Sequence, residues 1–274
     1  MSTSSTNLPT ARPGRPGPLT IDAARQLIAQ WREQHPDKLI VLDVFCGEGG
    51  AGAGYANAGA LVIGVDNDPA RLAHYPFPAV LGDAIETILA LGPLVDLQHG
   101  SPTCTGYSRG TAAIPDRLDR YDRLIGVTRA AMQETGTAYV IENVADARPE
   151  MVDPTMLCWS MFHEPGSVID TDGTPLTMRR HRLFEASFPL AAPRACRHPR
   201  GVQVAGAYGG ARRDAWEARH VRKGGYVPAS LDVLRALTGL SWATERGTFL
   251  SIPPAYTQHV GEQLAAHIRA EVAA

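Results

Sequence analysis

The apolar positions of this chain change period several times, and the changes mark out its elements. From Thr20 onward, Ile21, Ala24, Leu27, Ile28 and Trp31 recur at helical spacing behind a capping threonine and stop before Pro36, which predicts a helix over about Ile21 to Gln34. The next apolar stretch, KLIVLDVF, is short and rich in branched residues; the Gly-rich CGEGGAGAGYANAG and the apolar run ALVIGVD follow it. That order reads as strand, glycine turn, helix, strand. Further apolar runs near Pro78 to Leu81, Leu94 to His99 and Ala138 to Glu142 are separated by segments of helical composition, DAIETILAL and DRLIGVTRAAMQET. This alternation predicts an α/β fold, a doubly wound and mostly parallel sheet with its strands buried on both faces.

Outside this region the pattern changes. Residues 1–19 are Ser, Thr, Pro, Gly and Arg without apolar periodicity and are expected to form a disordered tail. After about Pro149 short runs of Pro, Gly, Arg and His replace the alternation, and helical patterns return at about Ala229 to Leu237 and Ala255 to Val272. The expected organisation is a catalytic domain over 20–185, a small irregular region over 186–230, and C-terminal helices over 231–274 that return to the catalytic domain.

Composition narrows the class. With 274 residues, 44% apolar and 20% charged, the chain has the make-up of a soluble globular protein of one main domain. No apolar stretch approaches the roughly 18 residues of a membrane span, and no secretory pattern precedes the irregularly spaced Cys46, Cys104, Cys158 and Cys196. A reducing cytoplasm is the expected setting. The net charge of −2 gives no global pull on phosphates, so any nucleic-acid surface has to be local. One such region exists: from Arg179 to Lys223 eleven Lys and Arg stand against Glu185, Asp214 and Glu217, with Tyr208, Trp216 and Tyr226 interleaved.

Candidate chemistry sits at the predicted strand tips. Glycines after the first strand of a doubly wound sheet let the backbone approach a nucleotide-like ligand, and Gly47, Gly49 and Gly50 are so placed. Asp66 ends the second strand at a spacing suited to ribose hydroxyls, and Asp83, after the third, suits the exocyclic amine of adenine. The pattern GEGG lacks the G-x-G-x-x-G spacing of a pyrophosphate site, which favours an adenosyl ligand over NAD. At the fourth tip, HGSPTCTGYS presents Cys104 as a candidate nucleophile. At the fifth, AYVIENV ends in Glu142, a candidate proton donor.

The set DVFCGEGG, GVDNDP, GDA, GSPTCTGYS and IENV, in this order, resembles the DNA (cytosine-5-)-methyltransferase family over about Val41 to Val144. RRHRLFEASFP resembles that family's Arg-x-Arg motif, and AYTQHVGEQL is a weaker likeness of its last motif. The resemblance is to a short member, of the phage type, with a reduced target-recognition region. It implies the class I methyltransferase fold and S-adenosyl-L-methionine, or an analogue, held by Phe45, Gly47, Gly49, Gly50, Asp66, Asn67, Asp83, Ala84 and Pro102. It implies catalysis by Cys104, Glu142, Arg182 and Arg180, and double-stranded DNA bound through Ser108, Arg109, Asn143, Arg212, Arg213, Arg222 and Lys223. The target would be about two to four base pairs, the protein a monomer, and Thr105 to Arg123 a loop closing over a flipped base. Departures are Thr103 and Thr105 around the cysteine, Met178 in place of a glutamine, and Ala255-Tyr256-Thr257 in the last motif.

Two other readings stand beside this one: an RNA cytosine-5 methyltransferase of the same fold, and a catalytically silent DNA-binding relative. Cys158, His163, Cys196 and His198 fit no standard metal spacing, and no metal is expected.

Overall fold

A computed structural model describes residues 17–107, 121–206 and 226–273. Its main sheet has seven strands in the order β3-β2-β1-β4-β5-β9-β6. These are β1 (Ile40–Val44), β2 (Leu61–Asp66), β3 (Ala79–Leu81), β4 (Leu97–Gly100), β5 (Tyr139–Val144), β6 (Thr155–Leu157) and β9 (Arg182–Ala186). Pairing is parallel from β3 through β5, and β9 runs antiparallel between β5 and β6. The α/β expectation therefore holds, with one addition. Two strands beyond Pro149, in the stretch expected to be irregular, complete the sheet; no α-helix separates them from β5 or from each other, so the strand–helix alternation does not mark them.

The helices are α1 (Ile21–Gln34), α2 (Gly50–Asn57), α3 (Pro69–Leu72), α4 (Ala84–Leu91), α5 (Ile125–Glu134), α6 (Leu231–Thr238), α7 (Glu245–Leu250) and α8 (Pro254–Ala273). Strand β1 shows how they divide. Ile40, Leu42 and Val44 pack with Ala24 and Ile28 of α1, Ile88 of α4 and Met132 of α5. Val41, on the other face, packs with Tyr55 of α2, Tyr256 and Val260 of α8, and Trp159. Such period-two division of a strand buried along its whole length is what burial on both faces requires.

Helix α2 is GAGAGYAN because α8 lies almost on its backbone. A Cβ on Gly54 would stand 2.0 Å from Thr257 Oγ1, and one on Gly50 2.3 Å from the Ile252 carbonyl oxygen. The Thr257 hydroxyl donates to the Ala51 carbonyl at 2.8 Å. The C-terminal helix thus packs against α2 behind the glycine turn.

A second sheet, β10-β8-β7, is built from Val168–Ile169 (β7), Pro175–Thr177 (β8) and Gln203–Val204 (β10). The Tyr226 hydroxyl donates to Asp170 at 2.6 Å and joins this sheet to the returning chain. At the other end Leu19, just before α1, pairs with Val80 as an isolated bridge. Among the described residues no helix is long and apolar enough to cross a membrane.

Candidate active site

Strand order reverses between β1 and β4, and the crevice at the carboxyl ends of such strands is where ligands of open α/β sheets bind. The turn after β1 is one wall. Phe45 has φ of 58° and Gly47 of 55°, so the chain passes twice through the left-handed region within three residues. For phenylalanine that conformation is uncommon and costs of order 1–3 kcal/mol, which makes it a mark of a site rather than of an ordinary turn. A Cβ on Gly47 would meet nothing within 4 Å, so the turn opens there on free space.

Asp66, buried at the tip of β2, accepts from Gly47 N through Oδ2 and from Asp68 N through Oδ1, both at 2.9 Å. It fixes the turn, and each oxygen retains capacity for one more hydrogen bond. Asn67 beside it is exposed. Asp83 is exposed too and caps α4, accepting from Glu86 N at 2.9 Å, with Ala84 the first helical residue. Gly49 and Gly50 stand close to neighbouring parts of the chain. A Cβ on Gly49 would lie 2.5 Å from Pro76 Cδ, and Gly50 faces Ile252, so their glycines serve the chain's own close packing.

The loop after β4 is the other wall. Ser101 N donates to the Val44 carbonyl at 3.1 Å, carrying the chain past β1, and Pro102 is buried. Cys104 follows, partly exposed. Burial raises the thiol above its ordinary pKa, the Arg182 guanidinium opposes this most strongly, and Glu142 adds to the rise. Downstream, Tyr107 is buried and accepts from Ile125 N at 3.2 Å, anchoring the loop under α5.

Glu142 and Arg182 come from neighbouring strands. In the β5–β9 register Glu142 faces Phe184 and Val144 faces Arg182, so the two charged residues are diagonal neighbours on one face. Arg182 Nε lies 3.0 Å from Glu142 Oε1. Burial raises the pKa of Glu142, while Arg182, a hydrogen bond with Ser101 and Arg180 pull it down.

Cys104, Glu142 and Arg182 are therefore brought together, and Arg180 and Asn143 bond within the chain beside them. The Arg180 guanidinium is buried and donates to the carbonyls of Phe249 at 2.8 Å and Ser251 at 2.5 Å. It holds the C-terminal segment, and its charge acts on Cys104 and Glu142. Asn143 donates to the Pro102 carbonyl at 2.9 Å and accepts from Val144 N, which braces the cysteine loop. Ser108, Arg109, Arg212, Arg213, Arg222 and Lys223 lie outside the described residues, as does most of the expected closing loop.

Sequence reasoning missed a buried polar file beneath the site. The Tyr55 hydroxyl lies 2.9 Å from His99 Nδ1, and His99 Nε2 lies 2.9 Å from Ser101 Oγ. Burial pushes His99 down to about 3, so its ring is neutral and bridges two hydroxyls. A histidine inside the apolar run LQHG was the available signal. Asp43, buried in β1, accepts from Gly52 N at 3.0 Å and the Tyr75 hydroxyl at 3.1 Å; burial pushes it up to about 8. Glu48 accepts from Thr244 N and Oγ1 at 2.7 and 2.6 Å, tying the glycine turn to α7. A cavity of about 460 Å³ lined by Tyr139, Pro154, Phe188 and Gln263 lies at the opposite end of β5 and holds none of these groups.

No protein-family model matches the chain, and no curated protein matches it in sequence. Solved structures do. The Dnmt2 methyltransferase of S. pombe is similar at 13% identity and a TM-score of 0.48, over 84% of this chain and 99% of that one. The Entamoeba histolytica methyltransferase EhMeth is similar at 12% identity and a TM-score of 0.49, over 85% of this chain and 99% of that one. A Spodoptera frugiperda DNMT2 mutant is similar at 14% identity and a TM-score of 0.38, over 60% of this chain and 56% of that one.

Proposed function

We propose that the chain transfers a methyl group from S-adenosyl-L-methionine to carbon 5 of cytosine in double-stranded DNA. The observation that carries this reading is the convergence of Cys104, Glu142 and Arg182 beside the switch point of the sheet. The donor site fits an adenosyl ligand on three counts: the strained Phe45, the open space at Gly47, and Asp66 held rigid with acceptor capacity left. Phe45, Gly47, Asp66 and Asn67 would hold the donor, whose sulfonium methyl supplies the electrophile.

Carbon 5 of an aromatic, electron-poor ring is a weak nucleophile, and addition at carbon 6 corrects that. Cys104 adds there as the thiolate while Glu142 delivers a proton to ring nitrogen 3. Burial shifts the Glu142 carboxyl toward its protonated form, the direction that task calls for. Arg182 has Nε on Glu142 and Nη1 on the His181 carbonyl at 2.9 Å, which leaves Nη2 for the base's carbonyl oxygen, where charge develops. After transfer a base removes the hydrogen at carbon 5 and the thiolate departs. Entry of the ring requires the nucleotide to leave the stack, at a cost of a few kcal/mol.

Base-resolution mapping of cytosine in DNA treated with the protein and S-adenosylmethionine, beside Cys104→Ala, tests the reading. Modification at a short fixed sequence, lost in the variant, is expected. Modification of RNA in preference to DNA would overturn the choice of substrate, and no adduct on a fluorinated cytosine would overturn the covalent step.

A further inference from the structure

Outside the candidate active site, four side chains far apart in sequence converge. Cys158 precedes the single turn Trp159–Met161, His181 precedes β9, and Cys196 and His198 lie in the loop toward β10. One ligating atom from each lies within 4.8 Å of all the others. His181 Nε2 is 3.1 Å from His198 Nε2 and 3.7 Å from Cys196 Sγ, and Cys158 Sγ is 3.8 Å from His198 Nε2.

A tetrahedral zinc ion with Zn–N near 2.0 Å and Zn–S near 2.3 Å sets its ligand atoms about 3.3 Å apart for two nitrogens, about 3.5 Å for nitrogen and sulfur, and about 3.8 Å for two sulfurs. The three measured separations fall on these edges within a few tenths of an ångström. Thiol-to-imidazole hydrogen bonds at 3.7 and 3.8 Å would join these groups only in pairs, whereas a borderline-soft cation engages all four ligand atoms together. The spacing rules that exclude a site look for paired ligands on one loop. Here only Cys196 and His198 are near neighbours, and the fold supplies the rest. His163, which the sequence places closer to Cys158, is instead stacked on Trp159 at 4.7 Å.

We propose that Cys158, His181, Cys196 and His198 bind one zinc ion as a closed structural site. Four protein ligands leave no open position for chemistry. The site's place gives it a consequence, because His181 stands between Arg180 and Arg182 and its carbonyl accepts from Arg182 Nη1. Zinc would pin the Cys196–His198 loop, through which the chain enters its second sheet, onto the residue that orients the active-site arginine. The loop is held beside it by Arg197 N on Ser160 Oγ at 2.9 Å and Arg194 Nε on the Met161 carbonyl at 2.8 Å.

Metal analysis of the full chain, purified in a reducing buffer without chelator, is expected to find about one zinc per molecule. Cobalt(II) added to protein stripped of metal should produce the intense visible bands of tetrahedral thiolate coordination, and the melting temperature should fall on chelation and recover with zinc. Cys158→Ser combined with Cys196→Ser should lower the zinc content at least tenfold, and His163→Ala should leave it unchanged. Wild-type protein that melts cooperatively yet carries no zinc and gives no cobalt–thiolate absorption would overturn the proposal, independently of how any variant folds. So would a Cys158–Cys196 disulfide in place of two titratable thiols.

Discussion

Arg182 and Glu142 face each other diagonally across β5 and β9 at 3.0 Å, and the carboxylate is the more buried of the two, its side chain 8% exposed against 16%. The pair is possible only because β9 is antiparallel to β5, so that the end of one strand and the start of the other lie at the same edge of the sheet. Removing the cation strands a buried carboxylate. Arg182→Met is expected to raise the Glu142 pKa further and cut methyl transfer by about 10²-fold or more, in the range seen when a charge-stabilising donor is lost. Single-turnover kinetics check the rate. An unchanged rate would remove Arg182 from the reacting centre.

Glu142→Gln keeps the shape of the side chain and removes its proton chemistry. Transfer should slow by about 10²–10⁴-fold, the usual contribution of a positioned acid, while donor binding at the Phe45–Gly47 turn is unaffected. Equilibrium binding of S-adenosylmethionine beside the rate measurement separates the two effects; a parallel loss of donor affinity would place Glu142 in the wrong role.

Asp43 and His99 give stability a pH dependence with a definite sign. Asp43 in the folded chain titrates at about 8 against about 3.9 when unfolded, so its contribution is full below the lower value and is lost as pH rises toward 8. His99, pushed down to about 3, acts oppositely: its contribution is lost as pH falls from about 6.5 toward 3. The two oppose each other between about pH 4 and 6.5, and Asp43 alone acts from there to about 8. Over that upper window wild type should lose up to about 1.4 kcal/mol per pH unit more steeply than Asp43→Asn. Denaturant titrations at a series of pH values read the difference, and equal slopes would show that Asp43 is ionised in the fold.

In an ordinary helix Gly→Ala stabilises by about 0.5–1 kcal/mol. Gly126 of α5, where a Cβ meets nothing within 4 Å, should follow that rule. Gly54 should reverse it, because the new Cβ would fall 2.0 Å from Thr257 Oγ1 and 2.1 Å from the Pro254 carbonyl oxygen. Gly54→Ala is expected to destabilise by about 1–3 kcal/mol as α8 is forced off α2. Urea midpoints of the two variants test the contrast, and a stabilised Gly54→Ala would mean that the two helices separate at little cost.

The order of strands and helices through β5 was legible in the chain because a sheet buried on both faces writes itself as apolar runs, and the polar residues ending those runs mark the site edge. Helix α1 is found over the expected Ile21–Gln34. Cys104 and Glu142 stood out as candidates at the ends of apolar runs, and Arg182 through the order of the motifs that carry the family resemblance. Tertiary structure alone decided the rest. Whether a glycine admits a ligand or a neighbouring helix depends on what passes over it, which separates Gly47 from Gly49, Gly50 and Gly54. Whether an arginine or asparagine is free to act depends on which carbonyls lie within reach, which assigns Arg180 to Phe249 and Ser251, and Asn143 to Pro102. The gathering of Cys158, His181, Cys196 and His198 depends on two short strands and a loop whose pairing partners are distant in sequence. Local periodicity carries no information about contacts that chain closure brings together.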